Sequence, residues 1–194
     1  MGETRTFRTP MARVLTVAVA LVAAVALGYF VSDAGAGELW RSGPTVLFVV
    51  VLTWALFWRP HVQVADSGIT VANILRTVHV PWPALRSVDS KWSLTVVASD
   101  VKVSAWAVPA SSGMAARTRR PGRGGDEAPP PLQGTGNADV AALAIAERRE
   151  ALAEAGHLGG HTLGTLGSTS RWNSVEIAVL AGSLLLAVVS HLLV

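Results

Sequence analysis

Apolar residues follow two different patterns along this chain. Three stretches are apolar without alternation: "VLTVAVALVAAVALGYFV" (Val14 to Val31), "PTVLFVVVLTWALFW" (Pro44 to Trp58) and "IAVLAGSLLLAVVSHLLV" (from Ile177), the last interrupted by His191. A helix needs roughly 17 to 25 predominantly apolar residues to cross the hydrocarbon core of a bilayer. The first and third meet that and the second, at its lower edge, extends back through Gly43 and Ser42, so three transmembrane helices are predicted, over 14–31, 44–58 and 174–194. Arg59-Pro60 ends the second, because proline supplies no backbone donor and disfavours helix in the residue before it. Trp40, Trp54, Trp58 and Trp172 fall in or near the window ends, where an indole keeps its ring among headgroups and its N–H in water.

From His61 to Pro109 the period drops to two. Val62 and Val64 alternate with polar neighbours, and Asp66-Ser67-Gly68 supplies turn chemistry ahead of Ile69 and Val71. "TVHVPW" is another short β run, in which Pro81 ends or edges the strand, and "PALRSVDS" predicts a polar bend. In "KWSLTVVASDVKVSAWAVP" one hairpin arm starts at Trp92 and the other runs from Val101 to Trp106, turning at Ser99-Asp100. Val101, Val103 and Ala105 share one face of the second arm, and Lys102, Ser104 and Trp106 the other. About five short strands, neighbours in sequence, predict an antiparallel meander over 59–109 rather than βαβ units.

A sheet with one apolar face and open edges must curl or be covered. "NADVAALAIAERREALAEA" (Asn137 to Ala155) predicts a helix ending at Gly156, with Val140, Ala144, Ala151 and Ala155 at helical spacing, that packs over the sheet or, alternatively, stands as a membrane-proximal connector. Between sheet and helix, 110–136 is rich in Gly, Pro, Ala and Ser and predicts a disordered linker, while 156–173 is a glycine-rich connector. The fold class is an α+β membrane protein: three transmembrane helices plus a small antiparallel curled sheet with a C-terminal helix.

Charge sets the expected orientation. Only 15% of residues are charged, against about a quarter in an ordinary soluble domain. The N-terminal tail, 1–13, carries Arg5, Arg8 and Arg13, and the segment 59–171 carries most of the remaining basic residues. The connector 32–43 holds Arg41 beside Asp33 and Glu38. By the positive-inside bias the tail and the middle segment are cytoplasmic and the connector external. "AGA" at Ala34 to Ala36 imitates a signal-peptidase site, but the apolar stretch before it exceeds the usual 7 to 15 residues, and a second window follows. Zero cysteines exclude disulfides and thiolate metal sites, and a net charge of +3 does not point to nucleic acid as a partner.

The stretch "RPHVQVADSGITVANILRTVHVPWPALRSVDSKWSLTVVASDVKVSAWAVPA" resembles the bacterial PH-like domains grouped with low-molecular-weight protein antigen 6, membrane-anchored proteins typical of actinobacteria. "RP" leaving a membrane helix, "DSGITV", "NILRT", "VPW" and "WAVP" carry the likeness in order. The resemblance implies a PH-like β-barrel, a curled antiparallel sheet plugged by a C-terminal helix, and a binding or scaffolding role without catalytic residues. Lipid-binding PH domains recognise phosphoinositides with Lys and Arg around the first strand-to-strand loop. Here that loop is "ADSG", acidic and without lysine, so no headgroup site is carried across.

Candidate chemistry is sparse. In the linker, Arg117, Arg119, Arg120 and Arg123 form a basic cluster that would be drawn to an anionic lipid surface, at about 1 kcal/mol per basic residue. Trp82, Trp92 and Trp106 are expected as structural anchors. His157 and His161 lie four apart in "GHLGGHTLG", where no rigid helix fixes them and no carboxylate completes a metal site. His79, within a strand, reads as structural. No catalytic, cofactor-binding or metal-ligating residue is nominated, and no cofactor is expected. The expected partners are the lipid bilayer and a protein of unknown identity. The alternative is a small subunit or regulator of a larger cell-envelope complex, contacting it through the transmembrane helices; Gly182-Ser183 allows close helix approach.

Overall fold

The computed structural model describes residues 4–109, 137–156 and 167–193. In chain order the elements are β1 (Arg5–Phe7), α1 (Pro10–Tyr29), a π-helical turn (Phe30–Ala34), α2 (Gly35–Thr53), a second π-helical turn (Trp54–Trp58), β2 (His61–Ala65), β3 (Gly68–Ala72) and β4 (Arg76–Val80). A 3₁₀ turn (Trp82–Ala84) follows, then β5 (Leu85–Asp89), β6 (Ser93–Ala98), β7 (Lys102–Pro109), α3 (Asn137–Glu154), β8 (Thr169–Trp172) and α4 (Ser174–Leu192). They form two units: a β unit of Met1–Arg8, His61–Ala72 and Val78–Ser170, and a helical unit of Thr9–Pro60, Asn73–Thr77 and Arg171–Val194.

Alternation builds the β unit. β2 buries Val62 and Val64, and β6 buries Leu94, Val96 and Ala98, while the residues between them stay half-buried. β2 and β3 pair antiparallel with Ala65 opposite Gly68. Gly68 takes φ 142°, and a Cβ there would lie 2.3 Å from the Val80 carbonyl oxygen, so the turn admits only glycine. The β6–β7 hairpin turns at Ser99-Asp100 as predicted, with Lys102, Ser104 and Trp106 on its exposed face.

Several features differ from the sequence reading. The expected barrel does not close: strand order is β1-β2-β3-β4-β8 in one sheet and β5-β6-β7 in another. Pro81 and Pro83 have no N–H to give a ladder, so the chain leaves β4 through the 3₁₀ turn and begins the second sheet at Leu85. The predicted polar bend "PALRSVDS" is thus the end of that turn followed by strand β5, pinned by buried Ala84 and Leu85. Strands β1 and β8 lie outside the predicted meander, too short and polar for the pattern to register.

Helix α3 packs on the β unit, bringing Ala138, Ala141 and Ile145 into the core with Leu94, Val96 and Val108. It stops where Gly156 takes φ 74°. The buried face runs through Ala138, Ala141, Ala144 and Ile145, not Ala151 and Ala155, which are exposed. Alanines on every side of this helix leave its pattern without a dominant stripe, and Ile145 decides the face.

In the helical unit, two helical stretches among the described residues are long and apolar enough to cross a membrane, rather than the predicted three: Pro10–Trp58, 49 residues, and Ser174–Leu192, 19 residues. The first is folded back on itself. A straight helix would hold Arg13 and Trp58 about 67 Å apart at about 1.5 Å per residue. Instead the Arg13 guanidinium carbon lies 5.6 Å from the centre of the Trp58 ring. The reversal falls at Gly35, whose φ 83° and ψ 173° are open essentially to glycine alone. The predicted connector 32–43 is therefore largely helix; Ser42 Oγ donates to Glu38 Oε1 at 2.5 Å, one turn back, which keeps a polar stretch helical. α4 packs on α2 through small side chains, with Gly43 and Pro44 buried on α2 and Ser183, Ala187 and Ser190 on α4.

Candidate functional site

The turn between β2 and β3 comes first, because lipid-binding PH domains place their cations there. Asp66 makes an ion pair with Arg148 of α3, so this arginine faces a carboxylate of the same chain. Beside it, Arg5, Val64, Ala144, Glu147, Arg148 and Ala151 line a cleft of about 230 Å³. Arg5 meets Glu147 there at 3.3 Å, both side chains more than half exposed. Two guanidinium groups and one carboxylate therefore line this cleft.

The three tryptophans expected as anchors separate. Trp82 is 4% exposed, belongs to the core cluster, and donates its Nε1–H to the Ala65 carbonyl at 3.0 Å. Trp92 is 83% exposed and Trp106 58% exposed, both outside the core. Trp106 shares the outer face of β7 with Lys102 and Ser104, and Trp92 follows Lys91 in the β5–β6 turn. Neither takes part in the core packing that holds Trp82. The basic cluster Arg117, Arg119, Arg120 and Arg123 lies outside the described residues, as do His157 and His161.

Two of the described histidines lie against threonine hydroxyls. His79 Nδ1 lies 2.9 Å from Thr70 Oγ1, and His191 Nε2 lies 3.0 Å from Thr45 Oγ1. Among the described residues no group of three or more His, Asp and Glu side chains is placed to hold a metal ion.

Three polar constellations were not visible in the sequence because each joins distant positions. In the β unit, the Asp100 carboxylate at the β6–β7 turn accepts from the Ser168 backbone N–H and hydroxyl, each at 2.8 Å. The Ser168 hydroxyl is the main reason that the Asp100 pKa falls below its ordinary value of 3.8. In the helical unit, Arg59 and Glu176 form a half-buried ion pair at 2.6 Å, joining the end of the helical hairpin to the first turn of α4. Asn173, buried just before α4, donates from Nδ2 to the carbonyls of Asn73 (2.9 Å) and Ile74 (3.2 Å) and accepts from Thr77 Oγ1 at 2.9 Å. Its backbone N–H bonds the Leu75 carbonyl at 2.9 Å.

Residues 59–124 match the family model described as the bacterial PH domain. No curated protein and no solved structure gives a significant match.

Proposed function

We propose that this bacterial PH-like domain is a non-enzymatic binding or scaffolding module held at the cytoplasmic face of a membrane by three crossings, the two arms of the Pro10–Trp58 hairpin and α4. PH domains are in general interaction modules rather than enzymes. The observation that carries the reading is the burial of the apolar helices. Only 11% of the apolar window in each candidate span is buried within the protein, and Val25, in mid-α1, is 74% exposed. A helix apolar on all sides belongs in a protein core or in lipid, and the described residues leave it uncovered.

Strand pairing supports an even number of crossings in the hairpin. β1 precedes it, β2 follows it, and the two pair antiparallel with Arg5 opposite Val64. Segments of one sheet lie on one side of a bilayer, so the intervening chain returns to the side it left. Arginine placement supports the orientation. Arg13 and Arg59 lie at the hairpin's open end, with Arg171 just before α4, whereas the bend has Asp33 and Glu38 with Arg41.

The natural absence of cysteine makes the test direct. A cysteine placed at Ser87, exposed on β5, is expected to resist a membrane-impermeant maleimide in intact cells, while one at Asp33, exposed near the bend, is labelled. The reverse pattern would overturn the orientation, and labelling of both would overturn the anchoring.

A second reading, a subunit that engages a larger complex through its helices, has its own observation. An apolar groove of about 340 Å³ runs over the helical unit, lined by residues including Leu27, Leu39, Gly43, Pro44 and Leu186. Photo-crosslinkers at Leu47 and at Trp106 separate the two readings. Adducts with a protein partner from Leu47 alone favour the helices, and from Trp106 alone the PH-like domain.

A further inference from the structure

The β3–β4 loop contains an apolar residue that the fold displays instead of covering. Ile74 and Leu75 occupy its tip, and Leu75 is 48% exposed, followed by exposed Arg76. Four hydrogen bonds fasten this loop to Asn173: from Nδ2 to the Asn73 and Ile74 carbonyls, from the Asn173 N–H to the Leu75 carbonyl, and from Thr77 Oγ1 to Oδ1. Asn173 is the residue immediately before α4, and its side chain makes no cap on that helix because it is committed to the loop.

This attachment fixes the loop's depth. α4 has 19 residues, about 28 Å of helix at about 1.5 Å per residue, which matches a hydrocarbon core of about 30 Å with little to spare. Ser174 therefore stands at one boundary of the apolar layer, and whatever is hydrogen-bonded to Asn173 stands at the same level. Around that level the helical unit places Arg171 and Trp172, both exposed, together with Trp58 and the Arg59–Glu176 pair. Indoles and guanidinium groups next to an apolar helix end are the composition of a bilayer interface.

We propose that the β3–β4 loop is a membrane-interface anchor, with Leu75 at the boundary between acyl chains and headgroups, Arg76 and Arg171 at the level of the lipid phosphates, and Asn173 as the positioning residue. The inference rests on the reading that α4 crosses a membrane. It assigns the loop a lipid surface as its partner, separate from the acidic β2–β3 turn.

Single-cysteine variants of the full chain test it in nanodiscs of phosphatidylcholine and phosphatidylglycerol. An environment-sensitive fluorophore at Leu75→Cys is expected to emit to the blue of the same label in water. Lipids carrying a nitroxide near the headgroup should quench it more than lipids carrying one deep in the acyl chain. A label at Val25→Cys, in mid-α1, should show the opposite depth order. If the Leu75 label instead emits as in water and is quenched by iodide while the Val25 label is deep, the loop anchor is wrong and the spanning reading stands. If both labels are accessible to iodide, the spanning reading fails and takes the anchor with it. Adding Asn173→Ala is expected to shift the Leu75 label towards its aqueous emission while leaving the Val25 label in place; no shift would remove Asn173 from its positioning role.

Discussion

The β unit and the helical unit use the same aliphatic side chains and treat them oppositely. Val62, Ile69, Val80 and Leu94 are fully buried, each enclosed by the two sheets and α3. Val14, Leu21, Val22 and Val25 of α1 stand exposed along the helix. In the first case the chain supplies its own apolar solvent. In the second it leaves that task to another phase, and the difference is one of sequence period: alternation leaves a sheet with one face to hide, whereas an unbroken apolar run leaves a helix with no polar face at all.

The contrast breaks most visibly with core truncation. Leu94→Ala is expected to destabilise the β unit by about 2 to 5 kcal/mol, because a fully buried leucine leaves a cavity. Leu21→Ala is expected to stay within about 0.5 kcal/mol in detergent, since most of this side chain is exposed. Urea titrations of the full chain in micelles, followed by tryptophan fluorescence, compare the two. Equal losses would mean that α1 has a protein partner after all.

Glycine replacement gives the next largest difference. Gly68→Ala drives a methyl into the Val80 carbonyl at 2.3 Å and the Pro81 Cα at 2.8 Å, backbone that cannot swing aside. A loss of about 2 to 3 kcal/mol is expected in the same titration. Gly35→Ala meets no neighbour and suffers only its φ of 83°, about 1 to 2 kcal/mol. The ion pairs rank below these. Glu176→Gln is expected to lower the thermal midpoint by an amount equivalent to about 1 to 2 kcal/mol, its pair with Arg59 being half-buried. Arg5→Ala should cost under about 0.5 kcal/mol, because both partners are mostly in water.

The smallest effect concerns pH. Asp100 titrates below its ordinary 3.8 in the folded protein, so its contribution to stability is complete above that value. The contribution disappears as pH falls through the depressed folded value. Hydrogen exchange at Ser168 and Thr169 should accelerate over that acid range, and Asp100→Asn should remove that acid-range acceleration. Identical pH profiles for the two proteins would show that the clasp contributes nothing.

Much of this architecture was legible because it is local. Unbroken apolar runs marked the apolar helices, though α2 begins nine residues before its expected start at Pro44, and two-fold alternation marked the β2–β3 turn and the β6–β7 hairpin. The order of "DSGITV", "NILRT", "VPW" and "WAVP" anticipated the bacterial PH match over residues 59–124. What escaped depends on partners far along the chain. β1 is three residues long and is a strand only because β2 lies beside it. A buried Asn173 is indistinguishable in sequence from a helix cap until the β3–β4 loop takes both ends of its amide. Trp82, Trp92 and Trp106 look equivalent as letters. A turn that places an indole N–H 3.0 Å from the Ala65 carbonyl buries the first, while the other two are left on the surface.

The β1–β2 pair also imposes an order of events on biogenesis. In a chain anchored as proposed, β1 leaves the ribosome before the hairpin and β2 after it. At about 5 to 20 residues per second, β1 waits about 3 to 12 seconds for its partner. Insertion of one arm alone would strand the two segments on opposite sides of the bilayer. The sheet would then keep an open edge, the kind that recruits other chains and proteases. In such a chain the three-residue ladder can form only when both ends of the hairpin lie on the same side of the bilayer.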